Sequence, residues 1–231
     1  MEILDTNLFR DISFLVYPEI TNRIEDNVVI KTYNPRELVI TEELKEVNET
    51  QNHSLYIVKS GLVVISKLNI NGEEVSIDLK NSGDCFGIVS VIDKKPRTIR
   101  AIALNRSEIW VVNSYFITNY LLNNKQFSLN LLNEFAKYVR GATSFYSYSA
   151  SGGAQKKLVF HLLKIGKFSH NSQKSLIYPH LTHTIISSFA GLSRETVTRE
   201  IKKLKKLSIL KVNQNRQLEL DIRSAEELLH K

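Results

Sequence analysis

Between Val28 and Val112 the chain carries short β-branched runs closed by turn residues, and this pattern most narrows what it can fold into. The runs are Val28-Val29-Ile30, Leu38-Val39-Ile40, Leu55-Tyr56-Ile57-Val58, Leu62-Val63-Val64-Ile65, Val75-Ser76-Ile77 and Ile109-Trp110-Val111-Val112. Asn34-Pro35, Ser60-Gly61, Asn71-Gly72 and Ser82-Gly83-Asp84 punctuate them. Branched side chains sit well on a pleated, half-buried surface, and an Asn-Gly pair supplies the positive φ of a two-residue hairpin turn. Several strands at this spacing predict a sandwich or barrel. The polar, acidic stretch from Glu42 to Asn52 reads as an exposed loop.

On both sides of this region the period becomes helical. Ile12, Leu15 and Val16, then Ile20 and Ile24, recur at helical spacing, with Pro18 as a break. A helix is expected over roughly 114–123 and a longer one from about Lys125. The longer one carries Leu131, Leu132, Phe135, Tyr138, Val139, Ala142 and Phe145 along one side. That stripe needs a partner: either the β-rich region, or the same helix of a second copy in a coiled-coil-like pair. Ser147 to Gly153 reads as a hinge, because two glycines loosen the backbone where the composition shifts. Beyond it the pattern predicts a helix over Gln155–Lys167, a polar loop, two short helices and a hairpin. The expected division is therefore a β-barrel domain over 1–113, a long helix and hinge over 114–149, and a helical domain with a hairpin over 150–231.

Charge separates the same halves. Residues 1–150 carry 16 Lys and Arg against 18 Asp and Glu, a net of −2; residues 151–231 carry 15 against 6, a net of +9. Such asymmetry fits a polyanionic partner, or equally a solvated basic surface, so the local motif must decide. The single cysteine, Cys85, allows no internal disulfide and no cysteine-cluster metal site, and reads as a small buried hydrophobe in a reducing compartment. No run of 18 apolar residues predicts a membrane span, and the first residues do not read as a secretory signal.

The deciding segment runs from Leu181 to Leu204. Thr182 is placed to cap a helix whose buried face holds Ile185, Ile186, Phe189 and Ala190, and Gly191 suits the tight turn that ends it. Ser193 caps a second helix that buries Val197, Ile201 and Leu204. The opposite face then shows Arg194, Glu195, Thr198, Arg199 and Lys202. An arginine can donate two parallel hydrogen bonds to guanine O6 and N7, and a glutamate can accept from cytosine N4. Ser193, Thr198 and the lysine run 202, 203, 205 and 206 suit phosphate contacts. Ile209–Val212 and Leu218–Leu220 flank a polar tip at 213–217, a hairpin wing. His183 is expected to face solvent or a phosphate.

These residues resemble the Crp/Fnr superfamily of transcription regulators over nearly the whole chain. Gly191-Leu192-Ser193-Arg194-Glu195-Thr196-Val197-Thr198-Arg199 is similar to the reading element of the catabolite-activator type. Tyr56–Gly61 and Gly83-Asp84-Cys85-Phe86-Gly87 resemble turns of its sensor domain. The resemblance implies an α+β fold: a cyclic-nucleotide-binding-like double-stranded β-helix, a long dimerisation helix and a winged helix-turn-helix. It implies double-stranded DNA, a second copy of the chain and RNA polymerase as partners, and Arg194, Glu195 and Arg199 as readers of a TGTGA-like half-site. Its cyclic AMP pattern is matched at one position in four: Arg97 stands where an arginine faces the cyclic phosphate, but Ile88 stands where a ribose-binding glutamate is expected, and Ala142 and Thr143 where an adenine-binding Thr-Ser pair is expected. Phe86, Gly87, Ile88, Val89 and Arg97 look closer to the NtcA-type nitrogen regulators, which implies 2-oxoglutarate as effector, with Tyr138 and Arg140 at the place of a second arginine. Without the resemblance, Arg97 beside Lys95 and Pro96 would read as a surface arginine. The richness in Lys, Asn and Ile fits an AT-rich genome, so a bacterial cytoplasm or a plastid stroma is expected.

Two other functions compete. One is a small-molecule sensor without specific DNA readout, against which the +9 half and the Arg-Glu-Arg face both count. The other is an enzyme, for which the sequence offers no metal-ligand cluster, phosphate-cradling glycine loop or nucleophile–base arrangement.

Overall fold

A computed structural model describes residues 2–12, 18–41, 53–68, 70, 72, 74–151, 153–169, 172–178, 181–214 and 217–230. The chain divides into two compact units, Met1–Lys137 and Tyr138–Lys231.

The first unit is built on two four-stranded antiparallel sheets. Its elements are α1 (Pro18–Asn27), β1 (Val28–Tyr33), β2 (Leu38–Ile40), β3 (Leu55–Ser60), β4 (Leu62–Leu68), β5 (Glu74–Asn81), β6 (Cys85–Phe86), α2 (Ile88–Asp93), β7 (Arg100–Ala103), β8 (Ser107–Val112) and α3 (Ser114–Asn119). One sheet runs β1-β8-β3-β6 and the other β2-β7-β4-β5. Side chains alternate between sheet faces, so β3 and β8 feed two different cores. Val58 and Ile109, opposite each other in register, join Val63, Ile65, Ala101 and Ala103 between the sheets. Their neighbours Ile57 and Trp110, also paired, turn outward against Leu8, Phe9, Phe116, Ile117 and Phe127. Cover on both faces of β3 and β8 explains why these two strands read as continuous apolar runs instead of alternating ones, whereas β1 at the edge of the same sheet is mostly exposed. Pro18 opens α1, in keeping with its reading as a break between helical pieces, at a position where its missing N–H costs nothing. The hairpin expected at Asn71-Gly72 joins β4 to β5, with Leu68 opposite Glu74 and Gly72 at φ +77°; Asn71 lies outside the described residues. So does the whole of the predicted loop from Glu42 to Asn52.

Helix α4 runs unbroken from Lys125 to Ser151. This corrects the expected hinge, of which Ser147–Ser151 is helical and Gly152 lies outside the described residues. Ser and Ala carry no strong penalty inside a helix, so this stretch continues it. Its predicted stripe also divides: Leu131 joins the core of the first unit with Phe135 packed beside it, while Leu132, Tyr138 and Val139 are exposed, as is Leu129 outside the stripe.

The second unit continues with α5 (Ala154–Ile165), β9 (Lys167–Ser169), β10 (Ser172–Tyr178), α6 (His183–Ala190), α7 (Arg194–Lys206), β11 (Leu210–Val212), β12 (Leu218–Asp221) and α8 (Ile222–His230). The segment read as a polar loop after α5 contains two strands. They complete a sheet ordered β11-β12-β10-β9, so the wing is four-stranded and not a lone hairpin. A two-stranded hairpin is marginal on its own, and pairing β12 to β10 supplies the missing ladder. Within this unit Leu158, Leu162, Ile186, Val197, Leu204, Leu220 and Ala225 are all buried. None of the helices among the described residues is long and apolar enough to cross a membrane.

Candidate nucleic-acid interface

The two helices of the motif are capped by the residues the sequence pointed to. The Thr182 hydroxyl accepts from the Ile185 amide at 3.2 Å, and the Ser193 hydroxyl accepts from the Thr196 amide at 3.2 Å. Each cap satisfies one of the amides that a helix N-terminus leaves without a partner. Between them Gly191 takes a left-handed conformation, φ +58°, which closes α6 at no steric cost and lets α7 set off at once. Ile186 and Ala190 are buried on the inner side of α6, while Ile185 is half-buried; the Phe189 side chain lies outside the described residues.

On α7 the inner stripe is Val197, Glu200, Ile201 and Leu204. The outer face gathers Arg194, Glu195, Thr198, Arg199 and Lys202 on one open surface. Glu195 is fully exposed at the N-terminal turn. Hydrogen bonds from its own backbone amide and from Ser193 hold its carboxyl below the usual range. It therefore stays charged and is oriented by the same cap that starts the helix. Lys202, Lys203, Lys205 and Lys206 are exposed along the last turns, where positive charge also suits the carbonyl end of a helix.

Not every predicted contact is free to leave the protein. The Thr198 hydroxyl donates to the Arg194 carbonyl at 2.8 Å and lies 2.9 Å from His183 Nδ1. With the hydroxyl proton on the carbonyl, the imidazole donates to Thr198 from Nδ1–H. His183 is thus half-buried and ties α6 to α7, which corrects its reading as a solvent-facing residue. Burial, then the charges of Lys205 and Arg194, hold its pKa below the ordinary value. Ser193 and Thr182 are likewise engaged as caps, so a phosphate contact from any of the three hydroxyls has to be shared with an internal bond.

Sequence reasoning missed Glu200. Its Oε1 accepts from Lys203 Nζ at 2.9 Å and from Arg199 Nε at 3.2 Å. Burial alone would raise its pKa, but the hydrogen bonds from Lys203 and Arg199 win and hold it low. The helical spacing that picked out Val197, Ile201 and Leu204 also reaches position 200, and a carboxylate there was the available signal. Beyond α7, β11 and β12 pair with Val212 opposite Leu218, and the Asn213 amide donates to the Gln217 carbonyl at 2.9 Å, closing the wing. Its tip, Asn215 and Arg216, lies outside the described residues.

The predicted effector residues are placed less uniformly. Phe86 is buried and stacks on Tyr56, with centroids 5.2 Å apart. Gly87, at φ +82°, caps α2, which begins at Ile88. Arg97 is only 4% exposed, so it is no surface arginine. Its Nη2 donates to the Ser54 carbonyl at 2.8 Å and its guanidinium lies 5.3 Å from the centre of the Tyr56 ring. Ile88 packs half-buried on the core, while Val89 is exposed. Phe86, Gly87 and Arg97 are therefore together around Tyr56; Tyr138 and Arg140 belong to the second unit, exposed on α4. Cys85 is buried and its thiol is pushed up to about 12, mainly by that burial. Among the described residues no group of three or more His, Cys, Asp or Glu is placed to hold a metal ion.

Comparison with known proteins matches each unit separately. A cyclic nucleotide-binding domain family covers residues 31–124, and a Crp-like helix-turn-helix domain family covers residues 156–230. The anaerobic regulatory protein of Bacillus subtilis is 23% identical over 70% of this chain and 69% of its own length. The cyclic AMP receptor protein of Thermus thermophilus is 26% identical over 69% of this chain and 71% of its own. Among solved structures, FixK2 from Bradyrhizobium japonicum superposes with a TM-score of 0.70 at 20% identity, over 87% of this chain and 96% of that one. At such identity the likeness speaks for the fold. With a sensor-type domain and a DNA-binding domain matched in the order found here, the chain belongs to the Crp/Fnr family of transcription regulators.

Proposed function

We propose that the chain regulates transcription as a homodimer that reads a palindromic, TGTGA-like duplex site. Arg194, Glu195 and Arg199 address base edges in the major groove, while Lys202 and the lysines after it hold phosphates. Thr182, Ser193 and Thr198 fix the helix and sit beside the backbone. One observation carries this reading: the outer face of α7 gathers two arginines, a charged carboxylate and a lysine on a single open surface, with the apolar residues of the helix turned inward. That geometry suits a groove lined with base edges and flanked by phosphates. Leu129, Leu132, Tyr138 and Val139, exposed along α4, supply the apolar seam for a second copy. The chain binds and does not turn over a substrate; its further partner is RNA polymerase, in a bacterial cytoplasm or a plastid stroma.

The effector of the sensor domain is a small anion of the 2-oxoglutarate type and not cyclic AMP. Ile88 puts an apolar side chain where a ribose hydroxyl would need an acceptor. The cationic Arg97 beside the Phe86-Gly87 turn instead suits a carboxylate.

Selection from random duplexes, with the full chain alone and with 2-oxoglutarate or cyclic AMP, tests all of this. The expected winner is a palindrome with TGTGA-like arms, enriched further by 2-oxoglutarate and not by cyclic AMP. In the same selection Arg199→Ala is expected to lose about 1–3 kcal/mol on the specific site and to relax one base pair per arm. Enrichment of an unrelated motif, or an unchanged motif with Arg199→Ala, would reject the assignment.

A further inference from the structure

The inner stripe of α7 breaks its own rule at one place. Val197, Ile201 and Leu204 are apolar, but Glu200 between them is 3% exposed and charged. A buried carboxylate is retained at a cost unless its partners are well placed, and an apolar residue of similar size would often serve stability as well or better. Here only Oε1 is partnered; Oε2 is buried with no hydrogen-bond partner among the described residues. Cohesion is therefore a weak reason for a glutamate at this position. What it does hold is Arg199, through Nε, and Lys203, through Nζ.

We infer that Glu200 is a positioning residue for base reading, holding Arg199 by Nε so that the guanidinium meets DNA with its two Nη groups. An arginine has five N–H donors, arranged so that it can bind a planar acceptor pair either through Nε and one Nη or through both Nη groups. With Nε–H directed at Glu200, the first mode is occupied inside the protein and the second faces outward. The Arg199 side chain is 61% exposed, so the outward edge is accessible while the inner edge is anchored. Two consequences follow for the duplex. The orientation of the guanidinium is fixed before binding, which favours one acceptor geometry over others. The Glu200 charge also offsets part of the field of Arg199 and Lys203, which lowers their pull on phosphates of any sequence. Glu200 thus raises discrimination more than affinity. This inference rests on Arg199 being a base reader.

The test compares the full chain with Glu200→Leu, Glu200→Gln, Arg199→Ala and the double variant Arg199→Ala/Glu200→Leu. Affinities are measured on the selected site, on its single-base-pair variants and on an unrelated duplex, with melting curves alongside. Glu200→Leu is expected to reduce preference about tenfold at the base pair read by Arg199, to leave other positions alone, and to bind the unrelated duplex equally or more tightly. Glu200→Gln, which keeps an acceptor for Nε but not the charge, should fall between, and serves on its own if the leucine variant does not fold. The double variant should discriminate no worse than Arg199→Ala alone, because both remove one interaction. Equal loss at every base pair, unchanged discrimination with either Glu200 variant, or additive losses in the double variant would overturn the inference. If Arg199→Ala shifts no base preference, base reading by Arg199 fails and this inference with it. If Arg199→Ala shifts one and the Glu200 variants do not, only the role of Glu200 fails.

Discussion

Two arginine sites in this chain start from the same chemistry and end in opposite arrangements. Arg97 lies in the β-sandwich unit, 4% exposed, with its guanidinium on the Ser54 carbonyl and over the Tyr56 ring. Arg199 lies on α7 with most of its side chain in solvent and one nitrogen held by Glu200. The first belongs to the interior of its domain, and an anion would have to share it with the protein. The second is held from one side and offered on the other. Recognition of a large polyanion calls for the second arrangement, since a duplex cannot enter a cavity. A small anion can use the first, because it can replace part of what the cation already touches.

The contrast breaks most sharply at Gly87. Its φ of +82° is unfavourable for any side chain, and a Cβ there would come within 2.8 Å of Arg97 Nη1 and 3.2 Å of the Ser54 carbonyl. Gly87→Ala should therefore displace the arginine or strain the turn, lowering the stability of the sensor-type unit by about 2–4 kcal/mol. Calorimetry should show that loss while base preference in the selection stays as it was. A variant that melts normally would mean that Arg97 is loosely held, and the contrast with Arg199 would vanish.

The corresponding support on α7 is Ser193, and its effect is smaller. Removing an N-cap hydroxyl costs about 1 kcal/mol, and here the cap also orients Glu195. Ser193→Ala should lower helix stability by about that amount and weaken specific binding, with any loss of base preference confined to the base pair addressed by Glu195, while Ser193→Thr should restore both. Thermal melts and affinity on the selected site check it. A wild-type-like Ser193→Ala would show that the face of α7 is set by its packing alone.

The difference between the sites also explains what could be read in the sequence. The α6–α7 motif is local: Thr182, Gly191, Ser193 and the 197–201–204 stripe act within a turn or two of their own positions, so spacing alone places them. The strands at 28–33, 55–60 and 107–112 were legible for a similar reason, as unbroken runs between turns. Arg97 was not, because its partners Ser54 and Tyr56 are some forty positions away and reach it only when the sheets close. β9 and β10 were missed because their polar composition hides strands that depend on β12 for pairing. The hinge was misplaced because Ser147–Ser151 has no strong preference against a helix that has already started. Glu200 escaped because a stripe is sought by its apolar members, and a charged residue inside one goes unnoticed.

The smallest predicted effect sharpens how the outward site senses its surroundings. His183 donates to Thr198 from α6, facing the charges of Lys205 and Arg194, and its pKa is held below its ordinary value of 6.5. A histidine lowered on folding favours the neutral form, so the free protein loses this contribution to stability as pH falls below 6.5. Duplex phosphates act in the opposite sense: they offset Lys205 and Arg194 and favour the imidazolium. Binding should then take up a proton, and affinity should rise by a few-fold as pH falls from about 7.5 to about 6. His183→Gln, which keeps a donor for Thr198 but cannot titrate, should flatten that rise without changing the site selected. The comparison is made at constant ionic strength, because phosphate contacts are themselves salt-dependent. Parallel pH profiles for the two proteins would show that the histidine only joins the helices, and that the α7 face meets DNA through its permanent charges alone.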